Sequence, residues 1–277
     1  MAALSFRHAK VQRLRRLLAR RSARTAEGAF VVEGATLLAE AVASGAAIES
    51  VYVAPGGHEG PAATAVLGAH ATGARVYDLA EGVLERIAGT VTPQPVLSVL
   101  PFIGVGLEAL SAATLVVVCV DIRDPGNAGT VLRSAEAAGV DGVVCCDGTV
   151  DIYNPKCVRA SAGSLFHVPV VAGGNALTVL QQIGGWGLRR LGTTVGQGDE
   201  YTQADLSRPT ALVLGNEAHG LPASPDALDS VLDGLVQIPM SGRGESLNVG
   251  MACAVLAFEA ARQRRSLCVG PEGTSGV

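Results

Sequence analysis

Four stretches of this 277-residue sequence gather side chains suited to an oxygen-bearing ligand or a phosphate. In the first, the apolar run Leu115 to Val120 ends in Asp121-Ile122-Arg123-Asp124-Pro125-Gly126-Asn127, and a helix is expected over about residues 128–138. Pro-Gly makes the turn, and Asn127 is placed to cap the helix. Arg133 is not explained by turn formation. It falls mid-helix among Val131, Leu132 and Ala135, so it either snorkels to solvent or points into a site. In the second stretch, the apolar strand Leu212-Val213-Leu214 ends in Gly215-Asn216-Glu217, with His219 and Gly220 beyond. The third holds Lys156 and Arg159 behind Asn154-Pro155. Their i, i+3 spacing puts both cations on one helix face, as a phosphate contact or as an exposed charged patch. The fourth is Ile238-Pro239-Met240-Ser241-Gly242-Arg243-Gly244-Glu245-Ser246-Leu247-Asn248, before a helix running to about Gln263.

The elements around these stretches alternate between strand and helix. Strands are expected at residues 30–34, 48–54, 75–79 and 96–101, with helices between them, and residues 102–113 read as a linker. A second series begins at Thr114, with strands at 114–120, 142–146, 168–171, 188–195, 211–214 and 236–238. Such alternation argues for α/β layers. The continuous apolar run at 115–120 marks a strand covered on both faces. Ligands sit beyond the carboxyl ends of parallel strands, where three of the four stretches fall. The final helix is apolar on nearly every face (Val249, Met251, Cys253, Val255, Leu256, Phe258), so it needs covering on more than one side.

Composition excludes several classes. Hydrophobic residues make up 48% and charged residues 17%, unlike a disordered chain. No apolar run reaches the roughly 20 residues of a membrane span. Six cysteines with no Cys-x-x-Cys pair read as reduced, buried thiols of a cytoplasmic protein. The histidines lack metal-ligand spacing, and neither a dinucleotide fingerprint nor a Walker lysine is present. Charge is uneven. Arg7, Lys10, Arg13, Arg15, Arg16, Arg20, Arg21 and Arg24 lie in the first 25 residues without an acid; with a formal net charge of −4 overall, the rest carries −12. Residues 7–22 form an amphipathic helix, with Val11, Leu14, Leu17 and Leu18 as its apolar stripe. It reads as a solvated surface helix, a transit peptide or an RNA-backbone contact.

Taken together, the segments resemble the SpoU class of SPOUT RNA methyltransferases. The resemblance rests on Asp-Pro-Gly-Asn-x-Gly-x-x-x-Arg (Asp124 to Arg133), Leu-Gly-Asn-Glu-x-x-Gly (Leu214 to Gly220) and Ile-Pro-Met-x-Gly…Glu-Ser-Leu-Asn-Val (Ile238 to Val249), in the family's order. The segment Asn154 to Pro169 also resembles the family's Pro-Lys-x-x-Arg-Ala-Ser-x-Gly stretch. The resemblance implies an N-terminal RNA-binding domain over 1–104, similar to RNA-binding ribosomal proteins, and a linker at 105–113. It implies a SPOUT catalytic domain with a deep trefoil knot over 114–265; the tail over 266–277, with Gly270, Pro271, Gly273, Ser275 and Gly276, reads as flexible from its own residues. It favours the RNA reading of the basic helix, with Arg7, Lys10, Arg13, Arg16, Arg20, Lys156 and Arg159 as RNA contacts.

The implied reaction is methyl transfer from S-adenosylmethionine to a ribose 2′-hydroxyl, most simply of ribosomal RNA. The alternatives are transfer RNA as substrate, or a non-catalytic RNA-binding or ribosome-assembly protein of the same fold. A sulfonium methyl is already activated, so no metal is required. The 2′-hydroxyl must be aligned and lose its proton. Arg133 resembles the family's catalytic arginine. A free guanidinium, with a pKa of roughly 12.5 or above, is a poor base at neutral pH. Orienting the phosphate and stabilising the developing alkoxide suits it better. By motif position, Asn127, Glu217, Ser246 and Asn248 complete the catalytic set. Leu214, Gly215, Ile238, Met240 and Leu247 form the cofactor-binding backbone. The family's homodimers pack through knot helices, which would cover the last helix.

Overall fold

The computed structural model describes residues 3–89, 91–221, 228–242, 244 and 246–268. The chain divides into two units. One comprises the residues up to Ile103 together with Asp151–His167, and the other Gly104–Val150 together with the chain from Val168 onward.

The first unit is built on a four-stranded mixed sheet. It comprises β1 (Ala29–Glu33), β2 (Ser50–Val53), β3 (Arg75–Asp78) and β4 (Val96–Pro101), in the order β1-β4-β2-β3. Helix α1 (Ala9–Ala19) buries Val11, Leu14 and Leu17 against Val31, Tyr52, Leu97 and Val99. Each such side chain contributes roughly 1.5–3 kcal/mol through burial. The helix expected over 7–22 is broken. Arg20 is extended (φ −127°, ψ 120°), and α2 (Arg21–Glu27) follows in a new direction. The break turns Arg24 inward, to 3% exposure. Its guanidinium donates to the carbonyls of Leu17 (2.6 Å) and Leu18 (3.3 Å), which the end of α1 leaves without helical partners, and to Asp151 at 2.8 Å. Arg24 therefore belongs to the interior, not to the basic face.

The remaining helices of this unit are α3 (Ala35–Ala43), α4 (Gly60–Ala71), α5 (Val83–Ile87) and α7 (Pro155–Ala160). Residues 151–167, expected within a continuous 114–265 domain, pack here instead. Tyr153 stacks on Phe102 (centroids 4.0 Å apart) and tilts against Phe30 (4.8 Å), while its hydroxyl accepts the N–H of Ile103. These aromatic contacts, with the Arg24–Asp151 and Arg159–Glu33 pairs, give the segment its place.

The second unit is organised on a seven-stranded parallel sheet. Its strands are β5 (Leu115–Cys119), β6 (Gly142–Cys145), β7 (Val170–Ala172), β8 (Arg189–Thr194), β9 (Asp199–Glu200), β10 (Thr210–Leu214) and β11 (Gly234–Gln237), in the order β7-β6-β5-β10-β8-β11-β9. Central β5 and β10 are buried along their whole length, as their apolar runs require. The order reverses between β5 and β10, and a crevice is expected at such a switch point. Residues 105–113 are not a free linker. Leu107–Leu110 form a turn of 3-10 helix, and buried Leu110 occupies the space a Cβ on Gly142 would need, 2.3 Å away. Helices α6 (Pro125–Ala138), α8 (Ala176–Gly185) and α9 (Val249–Cys268) cover the sheet. At Gly250, α9 comes so close to α6 that a Cβ would meet Thr130 Cγ2 at 2.6 Å. Cys253, Leu256, Ala257 and Ala260 are fully buried, whereas Met251 (61%) and Phe258 (46%) remain exposed. No helix among the described residues is long and apolar enough to cross a membrane. The tail from residue 269 lies outside the described residues.

Cys119, Cys145, Cys146, Cys157 and Cys253 are free and buried. Burial pushes the thiols of Cys146 and Cys253 up to about 12. Cys119 is raised first by its hydrogen bond with Cys145. The thiolate is the nucleophile, so raised values leave almost none at neutral pH. The native protein is expected to react with a disulfide-exchange reagent at no more than one of its six cysteines, and at all six after unfolding in guanidinium. Two or more fast equivalents from native protein would contradict this.

Candidate active site

The site is assembled by the loops that follow β5, β10 and β11. After β5 the backbone turns through Asp121 at φ +56°, a left-handed conformation uncommon outside glycine. Asp124, not Asn127, caps α6: its Oδ1 accepts the N–H of Asn127 at 3.0 Å. Pro125 at the first helical position needs no partner for the N–H it lacks. Asn127 thus lies inside the first turn, with its side chain available for a longer reach. Its Nδ2 donates to Glu217 Oε1 (2.8 Å), and its Oδ1 accepts from Asn248 Nδ2 (2.7 Å). Asn248 Oδ1 accepts the N–H of Gly250 (2.9 Å) at the start of α9. The chain Glu217–Asn127–Asn248 therefore ties all three loops together. Its polarity is fixed at one end by a carboxylate and at the other by a backbone N–H.

A second tie involves Asn216, for which the sequence pattern suggests no role. Its Nδ2 donates to the Asp121 carbonyl (2.8 Å), and its Oδ1 accepts the N–H groups of Ala218 and His219. The backbones of Asn216 and Gly220 pair in both directions, at 2.8 and 2.9 Å. Gly215 fits beneath them because it has no Cβ; one would lie 2.3 Å from the Gly220 carbonyl carbon. The signal for Asn216 was its place beside Glu217 in a Gly-Asn-Glu turn. Its partner Asp121 lies 95 residues earlier, beyond reach of local pattern.

Beside these loops is a cleft of about 670 Å³ lined by Gly215, Glu217, Ile238, Met240, Ser246 and Leu247, among others. Apolar Leu235, Val249 and Leu256 form part of its wall. Leu214 does not line it. That residue is buried in β10, and its carbonyl accepts the N–H of Val120 at 2.8 Å. Asn127 and Asn248 stand in the loop network instead. Arg133 is exposed on α6 and has no hydrogen-bond or ion-pair partner among the described residues. Among the described residues, no group of three or more His, Cys, Asp or Glu side chains could hold a metal ion. Asn127→Ala is expected to leave the Glu217 carboxylate and the Asn248 amide each short of a partner. A fall in kcat of about tenfold is expected, matching the loss of ~1.4 kcal/mol of positioning. Steady-state rates on a wild-type background check this.

In the first unit, Arg7 and Arg20 are exposed, and Lys10 Nζ lies 4.7 Å from the centroid of the Tyr77 ring. Arg13 is already engaged by Glu27 and Glu49, and Arg16 lies 3.8 Å from Glu27. Arg159 pairs with buried Glu33 at 3.2 Å, and the Lys156 N–H donates to the Asn154 side chain. Two cations with no role assigned from sequence, Arg15 and Arg86, flank the ring of Phe6 at 5.7 and 3.6 Å.

Comparison with known proteins matches the chain in two parts, the second of which runs unbroken through 151–167. Residues 114–258 match the SpoU rRNA Methylase family, and residues 8–98 match the MRM3-like substrate binding domain. The chain is 34% identical to the 23S rRNA (guanosine(2553)-2'-O)-methyltransferase RlmP of Bacillus subtilis, over 85% of this chain and 89% of that one. Among solved structures, it is similar to an rRNA methyltransferase from Sinorhizobium meliloti (TM-score 0.82, 27% identity, 94% of this chain and 97% of that one). It is also similar to the SpoU methyltransferase AviRb from Streptomyces viridochromogenes in complex with the cofactor AdoMet (TM-score 0.81, 29% identity, 94% of this chain and all of that one).

Proposed function

Since the chain belongs to the SpoU rRNA methylase family, we propose that it transfers the methyl group of S-adenosylmethionine to a ribose 2′-hydroxyl of ribosomal RNA. The observation that carries this reading is the Glu217–Asn127–Asn248 chain of hydrogen bonds, which fixes three motif loops around one cleft. The cleft suits the cofactor. Its volume of about 670 Å³ is in the range of small-molecule sites, roughly 300–1,000 Å³. Its apolar wall matches an adenosyl group, and the Glu217 carboxylate on its lining matches a cation. Gly215, Ile238, Met240 and Leu247 would hold the cofactor, with Leu214 supporting them from within β10. Bound there, S-adenosylmethionine supplies a methyl group already activated by its sulfonium, and no metal takes part.

The protein's own residues do the rest. Arg133 carries a planar fork of donors that matches a phosphate. It orients the RNA backbone and stabilises the negative charge that builds on the 2′-oxygen as its proton passes to solvent water. Asn127, Glu217 and Asn248 keep the loops in place, and Ser246 stands at the cleft beside them. The exposed cations of the first unit, Arg7, Arg16, Arg20 and Lys156, attract the RNA backbone, and half-buried Lys10, Arg13 and Arg159 add further contacts.

The same reading gives the second unit a trefoil knot, with α9 drawn back against α6 through the β10 loop. The close passage at Gly250 and the tight Gly215–Gly220 contact support it. Exposed Met251 and Phe258 on α9 support a homodimer packed through this helix, in a cytoplasmic enzyme. The test is incubation with methyl-labelled S-adenosylmethionine and, separately, total rRNA, total tRNA and ribosomal subunits. Label entering a single rRNA supports the reading. Label in tRNA alone overturns the substrate, and no transfer with no cofactor binding overturns the reaction.

A further inference from the structure

Arg123 takes no part in the mechanism above, and neither does the strained residue that holds it. Asp121 keeps a left-handed backbone (φ +56°), uncommon for a residue other than glycine. Its Oδ1 accepts from Arg123 Nε at 3.0 Å, while its carbonyl and Oδ2 accept from Asn216 Nδ2 at 2.8 and 3.3 Å. The Arg123 N–H points to Glu217 Oε2 at 3.4 Å. The guanidinium is thus held at Nε only. Its two terminal nitrogens have no partner among the described residues, and the side chain is 73% exposed. An ion pair this exposed contributes almost nothing to stability, so stability does not account for the arrangement.

Electrostatics give a reason for it. The loop network gathers the carboxylates of Asp121, Asp124 and Glu217 at the place where a polyanion has to approach. RNA is repelled there unless cations answer them. Arg133, on α6, is one such cation; Arg123, on the β5–α6 connection with Asp121 and Asp124, is a second. Holding Nε leaves the Nη edge of the fork facing outward, the edge that takes a phosphate in bidentate fashion.

We propose that Arg123 is a substrate-binding residue that grips an RNA phosphate next to the target nucleotide, with Asp121 as the residue that positions it. This rests on the RNA methyltransferase reading of the site. The two can fail separately. Arg123→Ala, Arg123→Lys and Asp121→Asn are compared with wild type for KM and kcat on the RNA that accepts methyl, for the salt dependence of RNA binding, and for affinity towards S-adenosylmethionine alone. Arg123→Ala is expected to raise the RNA KM about tenfold, with kcat falling less than threefold and cofactor affinity unchanged. The log–log salt slope of RNA binding should drop by about one, as for one lost phosphate contact. Arg123→Lys should recover part of the affinity but not all of it, since it keeps the charge and loses the fork. Asp121→Asn should raise KM in the same direction. An unchanged KM and salt slope in Arg123→Ala overturns the proposal while leaving the methyltransferase reading intact, and so does a loss confined to kcat. A wild-type protein that methylates no RNA overturns both.

Discussion

Arg133→Ala is expected to lower kcat for RNA methylation by about 10²–10³-fold, or ~3–4 kcal/mol of transition-state stabilisation. The folded protein and its cofactor site should survive. Arg133 is exposed on α6, makes no partnered contact among the described residues and does not line the cleft. Surface substitutions of that kind change stability by no more than about 0.5 kcal/mol. An arginine with no structural employment, one turn and a half beyond a network that fixes three loops, is free to serve the substrate. Arg133→Lys should remain well below wild type, because an ammonium cannot offer the planar pair of donors. Equal stability and equal S-adenosylmethionine binding, with a collapsed kcat, is the expected pattern. A variant with wild-type kcat would remove Arg133 from the chemistry.

Gly215→Ala is expected to weaken S-adenosylmethionine binding at least about 100-fold without removing any charge or hydrogen-bonding group. The added Cβ would lie 2.3 Å from the Gly220 carbonyl carbon and 2.4 Å from the Leu221 nitrogen, both backbone atoms that cannot rotate away. Relief requires opening the paired Asn216–Gly220 turn, which forms part of the cleft wall. Each decade of lost affinity corresponds to about 1.4 kcal/mol, so loss of the paired turn is sufficient for this effect. Gly220→Ala is the control. At φ +67° it carries a backbone penalty of about 1–2 kcal/mol, but nothing lies within 4 Å of the new methyl group. It should therefore weaken binding far less. Titration calorimetry with the cofactor alone separates the two. Equal affinities for Gly215→Ala and wild type would mean that the β10 loop is not the cofactor's wall.

Much of the second unit was legible because its residues announce buried parallel strands. Leu115–Cys119 and Ala211–Leu214 are apolar throughout, and both strands are buried throughout. The motif loops could be placed because they follow those strands. Long-range matters were not legible. Asn127 looked like a cap, since Asx residues before a helix usually are, but Asp124 does that work and frees Asn127 for a partner 90 residues away. Arg24 looked like one more cation of a basic helix. Nothing local shows that Arg20 will break that helix and send its neighbour to Asp151, 127 residues on. Residues 151–167 followed a strand of the second unit and so were expected to stay with it. Their place in the first unit is set by Tyr153 against Phe30 and Phe102, a contact no periodicity encodes. Parallel strands also give no clue to their order, so the position of β10 between β5 and β8 came only from the structure.

The most direct test of the central claim is to identify the atom that receives the methyl group. Ribosomal RNA treated with the protein and methyl-labelled S-adenosylmethionine would be hydrolysed in alkali and separately digested to nucleosides for mass spectrometry. Label in an alkali-resistant dinucleotide, and in one 2′-O-methylnucleoside, is the predicted result. Label on a base, released by alkali as a mononucleotide, would contradict it.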